Sequence, residues 1–238
     1  MSKHLKRLKA PRALTIHRKE RKWTVRANPG PHPLEKSIPL GIVIRDYLKL
    51  SDTLREAKRT ISDGNILVDN VIRKDYKYPC GLMDIISIPK MKKDYRIIFN
   101  KLGKLTIEPI DSKDSKWKLC RVENKTILKG KKIQLNLHDG RNKIVKKDEY
   151  KTGDVLKISF KDKKIEDIYK FEKGTISVII GGSHIGETAN IEDIEIISSS
   201  KPNLTKMKSD KEFTTLKKYV FPIGKTKPVI QLPEVKIQ

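Results

Sequence analysis

The stretch Thr53–Ile88 leaves the chain the least freedom, because it specifies in order a helix, its cap, its stop and a hairpin. Leu54, Ala57 and Ile61 fall at i, i+3 and i+7, on one side of a helix. Arg55, Lys58, Arg59 and Ser62 occupy the next side round. Thr53 and Glu56 have capping-box spacing, so a hydroxyl and a carboxylate can satisfy the first free N–H groups. Gly64 stands where a left-handed C-terminal cap is wanted. The apolar run Ile66-Leu-Val then reaches Asp69-Asn70, two residues that tolerate the positive φ of a tight turn, and Val71-Ile72 is the return strand. The hairpin ends in Arg73-Lys74. A basic helical flank is often only a solvated face, so the sharper reading needs support from the rest of the chain.

That support comes from pattern and from charge. Ala57-Lys58-Arg59, Gly64–Asn70 and Met83–Ile88 resemble the S-four RNA-binding domain, whose pattern is Ala-Arg near a helix end, Gly-x-Val-x-Val-Asn-Gly, and a closing strand after Gly-Asp. Asn70 replaces the turn glycine and Met83 the glycine before Asp84, and neither change removes an expected RNA contact. Lys and Arg number 53 against 29 Asp and Glu, a net charge of +24. Such a field attracts a polyanion, nucleic acid first and an anionic membrane second. The start of the chain lacks the apolar centre of a signal peptide, and no apolar run is long enough to span a bilayer. Cys80 and Cys120 have no paired neighbours and the five histidines show no metal spacing, so reduced structural thiols in a cytoplasmic protein, without metal or cofactor, are expected. A hydrophobic content of 37% suits several small cores better than one large one.

Residues 1–26 carry Lys3, Lys6, Arg7, Lys9, Arg12, Arg18, Lys19, Arg21, Lys22 and Arg26 against Glu20 alone. Like charges at this density predict an arm largely disordered in water, which folds on phosphate with Leu5, Leu8, Leu14, Ile16 and Trp23 as anchors. Asn28–Pro33 reads as a stiff extended connector. Leu40, Val43, Ile44, Tyr47 and Leu48 place one helix over Leu40–Leu50, packing on Leu54, Ala57 and Ile61. Residues 76–81 read as a turn.

From Tyr95 onward, short apolar runs alternate with turns: Arg96–Phe99, Leu105–Ile107, Trp117–Val122, Ile133–Leu137, Ile144-Val145, Val155–Phe160 and Ile165–Tyr169. This spacing predicts a small β-barrel or sandwich. His138-Asp139 invites an acid–base reading, but Asp139-Gly140 is a hairpin-turn pair, and no nucleophile or second carboxylate stands near it in sequence. Gly181, Gly182 and Gly186 lack the lysine and hydroxyl of a nucleotide-binding loop. Gly174–Ile194 instead resembles a KOW motif with Gly186 as its central glycine, although Ile185 and Ala189 depart from the usual Lys and Gly. Ser198–Lys211 reads as a polar loop and Leu216–Phe221 as a final strand.

Lys3–Leu8, Gly30–His32, Tyr78–Ile88, Lys118–Val122, His138–Arg141, Gly181–Gly186 and Phe221–Lys225 together resemble the archaeal and eukaryotic e-type family of small-subunit ribosomal protein four. The resemblance implies an α+β multidomain chain without catalytic site or metal: a basic N-terminal extension over 1–38, an S-four-like module over 39–94, a central β domain over 95–170, and a KOW-type barrel with a basic tail over 171–238. It implies a structural, non-enzymatic role on ribosomal RNA beside other small-subunit proteins, away from membranes. The chain's end near Gln238, without a longer basic tail, favours an archaeal version. The expected phosphate contacts are Lys3, Lys6, Arg7, Lys9, Arg12, Arg18, Arg21, Lys22, Arg26, Arg55, Lys58, Arg59, Arg73, Lys74 and Arg141. The competing readings are an RNA-modifying enzyme, which needs a catalytic constellation that 95–238 does not display, and a transcription-associated KOW protein, which the basic arm fits poorly.

Overall fold

The computed structural model describes residues 4–130, 132–209 and 211–232. The chain forms two compact units, Met1–Phe99 with Lys104–Lys118, and Asn100–Gly103 with Leu119–Gln238.

In the first unit, β1 (Leu5–Lys6) pairs antiparallel with β2 (Trp23–Thr24). The basic arm, expected to be disordered in water, is laid down among its own small residues. Ala10, Ala13, Leu14, Val25 and Ala27 are buried. The Arg18 guanidinium donates to the carbonyls of Ala10 at 2.7 Å and Pro11 at 3.0 Å. The Leu105 N–H donates to the Ala13 carbonyl at 2.9 Å, and the Thr15 N–H to the Tyr47 hydroxyl at 2.8 Å. Backbone pairing and small side chains thus replace the phosphate that the arm was expected to need. The anchors also differ: Leu14 is buried, but Leu8 is 68% and Trp23 49% exposed.

β3 (Ser37–Pro39) leads into α1 (Leu40–Ile42), which widens at once into a π turn over Val43–Tyr47, with the Leu48 N–H on the Val43 carbonyl. The expected helix to Leu50 is cut short, with Lys49 at φ 52°. Leu40–Ile44 are buried all round, so the stripe is in fact a plug. α2 (Leu54–Ser62) comes next with its capping box complete: the Thr53 hydroxyl accepts from the Glu56 N–H at 3.3 Å, and the Glu56 carboxylate accepts from the Thr53 N–H at 3.4 Å. Gly64 takes φ 77°. β4 (Leu67–Val68) and β5 (Val71–Ile72) close on Asp69 and Asn70 at φ 51° and 60°, the turn that the sequence predicts. Within the predicted turn 76–81, β6 (Pro79–Gly81) is a strand paired with β3.

β7 (Ile85–Ile88) lies between β4 and β8 (Lys93–Phe99), and β9 (Leu105–Ile110) completes a sheet of order β5-β4-β7-β8-β9. The first two strands of the run that was expected to form a separate β domain, β8 and β9, therefore extend this first sheet. Only the short turn Pro89–Met91 separates β7 from β8, and adjacent runs pair most readily. Arg96, buried on β8, donates to the Asp114 carbonyl at 2.8 Å and lies over the Trp117 ring; burial pushes its pKa down to about 10.

At the centre of this unit stands Lys118, the second residue of β10 (Trp117–Ile127), with a side chain 1% exposed. Its ammonium donates to Asp84 at 2.5 Å and to Asp69 at 3.0 Å. Asp84 also takes the His32 ring, with Nε2 at 3.0 Å, and the Gly81 N–H at 2.8 Å. Asp69 accepts the Ile85 N–H at 3.0 Å. A carboxylate only accepts, so Nε2 carries the His32 ring hydrogen. A Cβ at Gly81 would stand 2.3 Å from the His32 ring, so only glycine admits the imidazole. Burial alone would raise the Asp84 pKa, but Lys118 and then His32 outweigh it and hold the carboxyl well below the usual range.

In the second unit β11 (Ile133–Leu137), β12 (Asn142–Val145), β13 (Val155–Ser159) and β14 (Ile165–Tyr169) join β10 in the order β12-β11-β10-β13-β14. Cys120, Val122, Leu135, Leu137, Leu156 and Ile158 form the core of this half-barrel. A second sheet contains β15 (Ile176–Ile179), β16 (Thr188–Glu195), β17 (Leu204–Lys208), β18 (Glu212–Leu216) and β19 (Val220–Gly224), ordered β18-β17-β16-β15-β19. β17 falls within the predicted polar loop, because Thr205 and Met207 turn inward between lysines. The predicted strand 216–221 is broken by a 3-10 turn at Lys217–Tyr219. Arg121 fastens that turn, donating to the carbonyls of Lys218 and Val220, each at 3.0 Å.

Lys118→Met takes the ammonium from two buried carboxylates and should cost about 3–5 kcal/mol in urea unfolding. The unfolded carboxyl titrates near 3.9. Because the folded Asp84 pKa is depressed, its contribution is complete above that value, and it declines as pH falls below it until the folded carboxyl itself protonates. Asp84→Asn should flatten the stability–pH curve in that acid window; an unchanged slope would contradict the assignment. Gly186 (φ 81°) would set a Cβ 2.3 Å from the Asn100 carbonyl oxygen, whereas Gly130, with the same φ, has open space around it. Gly186→Ala should therefore lower stability by at least about 2 kcal/mol more than strain alone removes in Gly130→Ala.

Candidate nucleic-acid interface

The candidate surface begins with α2. Its apolar side, Ala57 and Ile61, is buried, which turns Arg55 and Arg59 out to solvent one helical turn apart. Lys58, between them in sequence, is half-buried, with its ammonium 4.3 Å from the centre of the Tyr76 ring. Lys77 approaches the same ring at 5.6 Å. Arg73 leaves the hairpin half-buried, its guanidinium 4.5 Å from the Tyr78 ring. Burial, ahead of the opposing charge of Arg73, pushes the Tyr78 hydroxyl pKa up to about 12. Lys74 is exposed and lays its stem near Gly64, at the end of α2. The helix flank and the hairpin exit thus form one basic rim, in which Lys58, Arg73 and, farther from its ring, Lys77 are steadied on aromatic faces. Tyr76 and Tyr78 escaped the sequence reading. Their signal was the interleaving of Arg73, Lys74 and Lys77 with aromatics in a stretch read as a turn.

In the arm, Lys6, Lys9, Arg12, Arg21 and Lys22 are exposed. Arg18 and Arg26 are half-buried, and Arg18 holds the backbone carbonyls of Ala10 and Pro11. Arg7 is 3% exposed and pairs with Glu20 at 3.4 Å, an internal position that the sequence reading did not foresee. Lys3 lies outside the described residues.

Arg141 belongs to the second unit, half-buried, with Nε 3.4 Å from Asp139 and the guanidinium over the Phe160 ring. The fold brings Cys120 to His138-Asp139, a partner that sequence distance concealed, and their ligand-capable atoms lie within 4.8 Å of one another. The wiring is that of a turn clasp. The Cys120 thiol donates to Asp139 at 3.5 Å, His138 Nδ1 accepts the Arg121 N–H at 3.1 Å, and Asp139 takes the Arg141 N–H at 3.2 Å. No helix among the described residues is long and apolar enough to cross a membrane.

Three family models match the chain: the RS4NT domain over residues 1–35, the S4 domain over 43–86, and Ribosomal family S4e over 91–165. The small ribosomal subunit protein eS4 of Methanothermobacter thermautotrophicus is 47% identical over 97% of this chain and 96% of its own. That of Archaeoglobus fulgidus is 46% identical over 96% of this chain and 97% of its own. The crystal structure of the 30S ribosomal protein S4e from Thermoplasma acidophilum superposes with a TM-score of 0.71 at 37% identity, covering 80% of this chain and 96% of that one. With an α+β S4 domain seated in a mostly β chain, and identity sustained over nearly the full length of its relatives, this protein belongs to the ribosomal S4e family.

Proposed function

We propose that the chain is a structural constituent of the small subunit of the cytoplasmic ribosome, and that it holds ribosomal RNA by phosphate contacts and shape rather than by reading base edges. The carrying observation is the rim of Arg55, Arg59 and Lys74 beside Lys58 and Arg73, the last two steadied on Tyr76 and Tyr78. Fixing a cation before binding lowers the entropy lost on contact with a phosphate. The relatives' printed name, small ribosomal subunit protein, supports the same assignment. The exposed arm cations Lys6, Lys9, Arg12, Arg21 and Lys22 extend the footprint, and neighbouring small-subunit proteins are its further partners.

The layout that we propose keeps an extension over 1–38, an S-four-like module over 39–94, a central β segment over 95–170, whose first two strands, β8 and β9, join the sheet of the module before it, and a KOW-type unit over 171–238. The three family matches run through the first three parts in order. For the last, the strand–turn–strand of β15 and β16, with Gly186 packed against Asn100 between them, supports the KOW reading.

If roughly eight phosphates are engaged, the log–log slope of RNA affinity against salt should be about −6 to −7. The double variant Arg55→Glu/Arg59→Glu should stay folded, since both side chains are exposed, yet lose salt-resistant co-sedimentation with the small subunit. Wild-type retention by that folded variant would sink the interface. Migration of the native protein free of the subunit would sink the ribosomal reading as a whole.

A further inference from the structure

Trp23 is an indole without a core to fill. It is 49% exposed on β2, directly opposite Lys6 on β1. The His4 ring lies 5.6 Å away at 51°, and the Lys22 ammonium sits 5.4 Å from the indole centre. Inward packing of the same segment is done by Val25 and Ala27. A phosphate contact requires only the cations, so the ring adds something that a phosphate cannot use. A flat apolar face beside Lys6 and Lys22 matches a group that is itself flat and anionic at its margin, as an unpaired nucleotide is. A protein partner for this face would need carboxylates around an apolar centre. Between the two, the +24 charge of the chain favours the polyanion.

We propose that Trp23 is a stacking platform for an unpaired RNA base, with Lys6 and Lys22 holding the flanking phosphates. The inference rests on the RNA-binding reading above and adds single-stranded character to its target. The platform discriminates by strandedness, because a base inside a duplex has both faces occupied.

The test compares the full chain with Trp23→Phe and Trp23→Leu against two probes: a single-stranded oligoadenylate about 12 nucleotides long and an RNA duplex of the same length. Thermal unfolding of each variant first confirms a native fold, as expected for a half-exposed side chain. Trp23→Leu should weaken single-strand binding roughly tenfold or more, with an unchanged salt slope and unchanged duplex affinity, while Trp23→Phe retains most of it. In a Trp117→Phe background, Trp23 fluorescence should be quenched by the single strand and much less by the duplex. Equal loss on both probes, no loss in Trp23→Leu, or Leu performing as well as Phe would overturn the platform. Failure of the wild type to bind either probe in a salt-dependent way would count against the RNA reading itself, separately from the platform.

Discussion

The first unit depends on one buried ammonium. Lys118 brings its ammonium to two carboxylates that are almost fully buried, where an unpaired charge is costly. The network draws on separate segments: Asp69 from the hairpin turn and Asp84 from the turn before β7 hold the ammonium, and His32 from the proline-rich connector holds Asp84. Each aspartate also fixes a backbone N–H, so the charges position main chain as well as each other. Hydrophobic packing would tolerate several arrangements of these segments. Four polar groups that must all be satisfied at one point leave fewer, which is how a network that adds little net stability still selects a geometry.

The cations of the chain therefore fall into two kinds that a charge count cannot separate. Arg7, Arg18, Arg96, Lys118 and Arg121 are absorbed by the protein, binding carbonyls, carboxylates and ring faces. Arg55, Arg59 and the exposed lysines of the arm are left to solvent. The positive field belongs to both kinds, but the contact surface belongs to the second, together with Lys58 and Arg73, which the tyrosines steady at its edge.

The same division marks what was legible in the sequence. The capping box at Thr53 and Glu56, the left-handed Gly64 and the turn at Asp69 and Asn70 were readable because each is settled within a few residues. The first helix misled because its apolar positions suggested one exposed stripe, whereas burial on all sides shortened and widened it. The β3–β6 pairing, the docking of the arm through Ala13 and Leu105, and the role of Lys118 join residues dozens of positions apart, and no local spacing encodes them. β17 was hidden for another reason: its two inward residues, Thr205 and Met207, are outnumbered by polar neighbours. Of the candidate site, the α2 flank was visible as a periodicity, while the tyrosines beneath it needed the folded hairpin to give them meaning.

Lys118 also sets an order of events. A ribosome makes the chain from its N-terminus, and domains begin to fold as they emerge. Asp69 and Asp84 are both made well before their shared counter-ion, which arrives 34 positions after Asp84. Until then the nascent module has only the His32 ring and two backbone N–H groups to hold its carboxylates. The match to the S4 domain ends at residue 86, so a peptide released at that boundary would carry the helix, the hairpin and the acids but not the base that closes them. The module visible in the sequence is thus shorter than the unit that can finish folding, because the ammonium that locks it is synthesised only once β10 has begun.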